Sequence, residues 1–254
     1  NLRWIDDDSY LQTRRANGSV EWLKVDAVSG RSSPLFDAAR METAFAGLPG
    51  VTKDEAAGVA RSGDLQFNPQ WTAAIADVSQ DLYFYDFSTG TATRLTSVAG
   101  REEEPTFSPN GRNVAFVRAN NLYVVDVATR KEITLTSDGS HDILNGKLDW
   151  LYQEEIYGRG RFRGYWWSPD SASLAFLQLD ERPVPEYTVV DDFSYRPTVE
   201  VTDYPKAGDP NPLVKLGIAR AAGGTAQWVQ LDAYAGNEFL IVDVDWVPDS
   251  RSVA

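Results

Sequence analysis

One short pattern recurs along the chain and restricts the folds open to it. Phe107-Ser108-Pro109-Asn110-Gly111-Arg112-Asn113-Val114-Ala115-Phe116 returns as Trp167-Ser168-Pro169-Asp170-Ser171-Ala172-Ser173-Leu174-Ala175-Phe176 and again as Trp246-Val247-Pro248-Asp249-Ser250-Arg251-Ser252-Val253-Ala254. Phe67-Asn68-Pro69-Gln70-Trp71-Thr72-Ala73-Ala74-Ile75 is a degenerate fourth copy. Each reads as an aromatic strand end, a Pro-led turn and a second apolar strand, which is a β-hairpin. An alternating strand ending in Asp follows, as in Asp81-Leu82-Tyr83-Phe84-Tyr85-Asp86 and Asn121-Leu122-Tyr123-Val124-Val125-Asp126, and Gly18 to Asp26 is the equivalent in the first unit.

From Phe67 to Phe107 the period is 40 residues, the length of a four-stranded propeller blade. The expected fold is therefore all-β, a β-propeller of four-stranded antiparallel blades. Units beginning near residues 4, 67, 107, 167 and 246 make about four blades and part of a fifth. Because the last hairpin stops at Ala254, where the other copies continue with Phe, residues 1–254 are expected to be part of a larger, incomplete propeller domain.

Later spacings widen to 60 and 79 residues, with the excess at 140–165 and 180–215. Insertions in repeat folds map to loops on one face, often the binding face. A third insertion, 37–62, reads as helical. Asp37 can cap a turn carrying Met41, Phe45 and Leu48, and Thr52-Lys53-Asp54-Glu55 has the form of a capping box. It fits a surface helical hairpin packed on a blade edge or an element reaching toward a site.

The first widened spacing contains Asp149-Trp150-Leu151-Tyr152-Gln153-Glu154-Glu155-Ile156-Tyr157, two adjacent carboxylates among bulky apolar residues. Desolvating unpaired negative charge is expensive, so the pair either faces solvent or receives a cation. Glycosidase chemistry fits poorly, because its two carboxyl groups must bracket a sugar at separations of ~5–9.5 Å.

Several chemistries are excluded or weakened. With 37 acidic against 24 basic side chains the formal charge is −13, which repels nucleic acid. No Cys is present, so disulfides and thiolate sites are ruled out. The single histidine, His141, lies in the turn-like run Ser137 to Asp142; it reads as an exposed turn residue and makes a weak case for a metal. No Gly-x-Ser-x-Gly elbow occurs, so no catalytic residue, cofactor or metal site is expected in this chain. No apolar run has the ~18 residues of a membrane span, and Asn1-Leu2-Arg3-Trp4 shows no targeting pattern.

The run at 149–155 followed by Tyr165-Trp166-Trp167-Ser168-Pro169 resembles the N-terminal β-propeller of the dipeptidyl peptidase IV group of serine exopeptidases, in the prolyl oligopeptidase family. Pro197-Thr198-Val199-Glu200-Val201, leading into Tyr204-Pro205-Lys206-Ala207-Gly208-Asp209-Pro210-Asn211-Pro212, looks like a second run of the same group. The resemblance is close over 149–216 and generic elsewhere. It implies that an α/β-hydrolase domain lies downstream, and that Glu154 and Glu155 bind the α-ammonium of peptide substrates with a free N-terminus, so that dipeptides are released. It further implies an extracytoplasmic location and leaves room for a homodimer.

The family also uses a propeller arginine for the substrate carbonyl, following a Gln-Trp; here Gln70-Trp71 is followed by Thr72. Arg40 and Arg61 are the substitutes on offer. Arg159-Gly160-Arg161-Phe162-Arg163, the one basic cluster, reads as local charge compensation for the acidic pair or as a substrate contact. Against the exopeptidase stands a TolB-like or WD-repeat-like propeller that binds protein partners and carries no enzyme.

Overall fold

The computed structural model describes residues 3–254 apart from 17, 194 and 235. Four antiparallel sheets follow one another along the chain. The first has the order β1-β2-β3-β4, from Arg3–Asp6, Ser9–Ala16, Ser19–Asp26 and Ser32–Pro34. The second, β5-β6-β7-β8, comprises Gln66–Phe67, Ala73–Val78, Asp81–Asp86 and Thr91–Arg94. The third, with β9 to β12 at Glu103–Phe107, Asn113–Arg118, Asn121–Asp126 and Glu132–Thr134, has the same up-and-down order. The fourth has five strands, β13 (Ile143–Asn145), β14 (Tyr165–Trp167), β15 (Ser173–Asp180), β18 (Leu213–Arg220) and β19 (Gln227–Trp228). Between β15 and β18 the chain leaves the sheet as a separate two-stranded ribbon, β16 (Glu186–Asp191) with β17 (Thr198–Asp203). After these four sheets a further unit begins where Trp246 pairs with Val253.

Turn chemistry explains why the repeated pattern makes hairpins. The Ser108 hydroxyl donates to Asn110 Oδ1 (2.8 Å) and accepts from the Asn113 N–H (3.0 Å), while Asn110 Oδ1 accepts from the Arg112 N–H (3.0 Å). Ser168, Asp170, Ala172 and Ser173 repeat this lattice at 2.6–3.0 Å. In the degenerate copy Asn68 replaces the serine, its Oδ1 accepting from the N–H groups of Thr72 (2.8 Å) and Ala73 (3.0 Å). These polar side chains satisfy turn backbone groups that the ladder cannot reach.

The chain forms two compact units, Asn1–Val114 with Val125–Lys131, and Ala115–Val124 with Glu132–Ala254. In the first, helices α1 (Ala38–Ala46) and α2 (Lys53–Ala60) fill the insertion. Asp37 caps α1 by accepting from the Arg40 N–H, and Thr52 with Glu55 forms a complete capping box on α2. Met41 and Phe45 are fully buried and join Tyr83, Tyr85 and Trp22 in one core. The insertion is thus a helical hairpin packed on a sheet, the plainer of its two expected roles.

In the second unit β15 is the central strand, with Leu174, Ala175, Phe176, Leu177 and Leu179 all fully buried. Covered on both faces, it reads as a continuous apolar run rather than an alternating one. Its two sides feed two clusters. One holds Tyr165, Leu174 and Phe176; the other holds Leu148, Tyr152, Leu177 and Leu179 and carries the acidic pair.

Candidate functional site

The segment from Leu148 to Arg163 interrupts the fourth sheet between β13 and β14, and its own residues bolt it down. Asp149 starts a helical turn: its Oδ1 accepts from the Tyr152 N–H (3.0 Å) and its carbonyl from the Gln153 N–H (3.1 Å). Residues Tyr152–Ile156 then form a π-helical turn, closed by the Tyr157 N–H donating to the Tyr152 carbonyl at 2.8 Å. Such wide turns often sit at functional positions.

Two tyrosines lock this turn to the chain near Ile241. Tyr152 is fully buried, and its Oη accepts from the Ile241 N–H (3.1 Å), while the Tyr157 hydroxyl donates to the Ile241 carbonyl (3.3 Å). Their rings lie 6.1 Å apart, and Tyr157 also packs on Trp166 at 5.8 Å. Burial pushes the Tyr152 phenol up to about 12, so it stays neutral as a hydrogen-bonding group.

The two glutamates are not equivalent. Glu155 is exposed, whereas the Glu154 side chain keeps only 16% of its surface and is covered by Arg159. Arg159 donates through Nε (2.6 Å) and Nη2 to Glu154 Oε1. Hydrogen bonding to Glu154, then the charges of Glu154 and Glu155, raise the Arg159 pKa above its ordinary value. The cation that the acidic pair calls for therefore exists within the chain, which agrees with charge compensation as the role of this arginine. Arg40 donates to the carbonyls of Ser88 (3.3 Å) and Thr89, and Arg61 pairs with Glu42 at 3.4 Å.

Trp150 links the two motif-bearing stretches by packing on Tyr204 at 4.1 Å, and Tyr204 in turn lies 5.7 Å from Tyr187 on β16. Behind them is a group of acids that spacing alone did not bring together. Burial pushes Asp149 up to about 6, and burial, followed by the charges of Asp149, Asp203 and Asp142, pushes Glu181 up to about 8. Asp203 is also raised, first by burial. His141 is exposed, as expected, but its Nδ1 lies 2.9 Å from Asp142 and 3.8 Å from Asp203. The hydrogen bond to Asp142, then the Asp203 charge, raises its pKa. Their ligand-type atoms fall within 4.8 Å of one another, a grouping invisible in sequence because Asp203 is 62 residues (203 − 141) away.

The direction of the Glu181 shift fixes a pH dependence. A carboxyl raised from 4.5 to about 8 holds its proton more tightly in the folded protein, so its contribution is full below about 4.5 and is lost as pH rises through about 8. Glu181→Gln cannot ionise and should flatten this loss, with a melting temperature a few degrees above wild type at pH 9 and near it at pH 4.5. Equal slopes of melting temperature against pH would contradict the assignment.

Comparison with known proteins then places the chain. A family model described as the dipeptidyl peptidase IV (DPP IV) N-terminal region matches residues 71–254. The chain belongs to the DPP IV N-terminal-region family. A probable dipeptidyl peptidase 4 of Emericella nidulans is 36% identical over 180 residues, covering 68% of this chain and 23% of that protein. Dipeptidyl aminopeptidase B of Saccharomyces cerevisiae is 37% identical over 150 residues, covering 56% and 18%. The crystal structure of Porphyromonas gingivalis dipeptidyl peptidase 4 superposes over 100% of this chain and 35% of its own, with a TM-score of 0.75 and 25% identity. The chain thus spans about a quarter or less of the length of these curated relatives. Its sheets are blades of an incomplete β-propeller, the fold that the 40-residue period implied.

Proposed function

We propose that this chain is the substrate-gripping propeller portion of a serine-type exopeptidase that releases N-terminal dipeptides of the Xaa-Pro or Xaa-Ala kind, with the nucleophile on its own downstream hydrolase domain. The carrying observation is the acidic pair held on a turn that Tyr152 and Tyr157 fasten to Ile241. A peptide α-ammonium, with a pKa of ~7.7–8.0, carries three donors near neutrality. Two carboxylates held on a fixed turn accept these as charge-assisted hydrogen bonds. With the anchor at a set distance from the nucleophile, the enzyme measures off two residues. A blocked or internal peptide leaves both carboxylates without the cation.

Turnover requires the downstream domain, so the chain alone is inactive in this reading, and an extracytoplasmic setting accompanies it. Among the described residues no helix is long and apolar enough to cross a membrane. The β16–β17 ribbon supports a homodimer. It exposes Val190, Val199 and Val201 on one face, an apolar surface that a second copy would cover. Family membership weighs against the alternative of a TolB-like or WD-repeat-like scaffold without an enzyme.

The test compares glycyl-prolyl-p-nitroanilide with its N-acetylated form on the full-length enzyme. Acetylation should lower kcat/KM by at least ~100-fold, since it removes the charge from two charge-assisted bonds. Equal rates on the two substrates would refute ammonium anchoring.

A further inference from the structure

The pairing of Arg159 with Glu154 points to a step that precedes substrate binding. Arg159 stands at the tip of a tight turn between Gly158 (φ +102°) and Gly160 (φ +80°), two positions in the left-handed region that favours glycine. Neither glycine has a neighbouring atom where a Cβ would stand, so backbone conformation and not crowding selects them. The turn is held by the Arg161 N–H donating to the Gly158 carbonyl (3.1 Å) and by the Gly160 N–H donating to Gln153 Oε1 (2.9 Å). Gln153 immediately precedes the acidic pair, so the arginine tip and Glu154 belong to one locally fastened unit. Arg159 itself remains 84% exposed while covering a carboxylate that is 16% exposed.

We infer that Arg159 is a tethered counter-ion, which occupies Glu154 while the site is empty and is displaced by the α-ammonium of an arriving peptide. This rests on Glu154 being an ammonium anchor. Arg159 makes two N–H donations to a single carboxylate oxygen, and an ammonium supplies the same charge-assisted donors. An ion pair with one partner this exposed is weak, so it neutralises Glu154 without sealing it. The conformer ready for substrate is the one in which the guanidinium has swung into solvent. Apparent affinity falls in proportion to how seldom that conformer is populated. Arg159 therefore sets the concentration of free N-termini at which the site fills, and it discriminates against weak or neutral ligands that cannot replace its charge.

The experiment uses the full-length enzyme with glycyl-prolyl-p-nitroanilide and the variants Arg159→Gln and Arg159→Lys. Removing the competing charge should lower KM by roughly two- to fivefold, with the change in kcat/KM carried by KM. Lys, which retains a cation on a flexible stem, should return KM toward wild type. A KM that is unchanged or raised in Arg159→Gln, or a Lys variant indistinguishable from Gln, would overturn the counter-ion role. Failure of the anchor is separable from this outcome: it would appear as an unchanged kcat/KM in Glu154→Gln with Arg159 intact.

Discussion

Glu154→Gln and Glu155→Gln in the full-length enzyme should each lower kcat/KM on free-amine dipeptidyl substrates by roughly ten- to a hundredfold. Gln preserves size and hydrogen-bonding capacity but removes the negative charge. A hydrogen bond to a charged group is worth ~1.5–3 kcal/mol, and each ~1.4 kcal/mol is a factor of ten. In the proposed function the anchor positions the scissile bond, so the deficit would be lost transition-state stabilisation and should not vanish at saturating substrate. The two effects should differ. Glu154 begins with Arg159 on it and Glu155 begins exposed, so Glu154→Gln also releases the arginine and should leave KM insensitive to Arg159 replacement, while Glu155→Gln should keep that sensitivity. Folded variants with wild-type kcat/KM would remove both residues from the site.

Tyr152→Ala should have the largest effect on stability, about 3–5 kcal/mol. It deletes a fully buried aromatic side chain and leaves a cavity in the cluster of Leu148, Leu177 and Leu179. It also strips the Ile241 N–H of its acceptor. Tyr152→Phe separates these contributions: it keeps the ring and should cost only about 1–2 kcal/mol. Because the π-helical turn is fastened through this hydroxyl, even Tyr152→Phe should lower kcat/KM at temperatures where the enzyme is fully folded. Chemical denaturation of both variants with matched kinetics checks this, and a Tyr152→Ala protein as stable as wild type would contradict the packing described.

The blades were legible because their information is local. Phe107, Trp167 and Trp246 each open a turn whose geometry is set within five residues, and the helical insertion is announced by Asp37 and by the Thr52–Glu55 box. The acidic pair was legible as a candidate because two carboxylates among Trp150, Tyr152, Ile156 and Tyr157 conflict with ordinary burial. Its surroundings were harder to read. The Tyr152 and Tyr157 bonds to Ile241 join residues more than 80 positions apart, and the packing of Trp150 on Tyr204 depends on how the β16–β17 ribbon returns. The raised carboxyls of Glu181 and Asp149 come from burial, which periodicity does not reveal inside an insertion. A signal for Arg159 was present in Gly158-Arg159-Gly160, where two glycines flank a charged tip beside an acidic pair.

The central claim, that Glu154 and Glu155 grip the substrate α-ammonium, is tested most directly by the ratio of kcat/KM for glycyl-prolyl-p-nitroanilide to that for its N-acetylated counterpart, measured in wild type and in the Glu154→Gln, Glu155→Gln double variant. Ammonium anchoring predicts a large ratio in wild type that collapses toward one in the double variant, through loss on the free amine while the slow acetylated reaction hardly changes. A double variant that folds and keeps the wild-type ratio would contradict it.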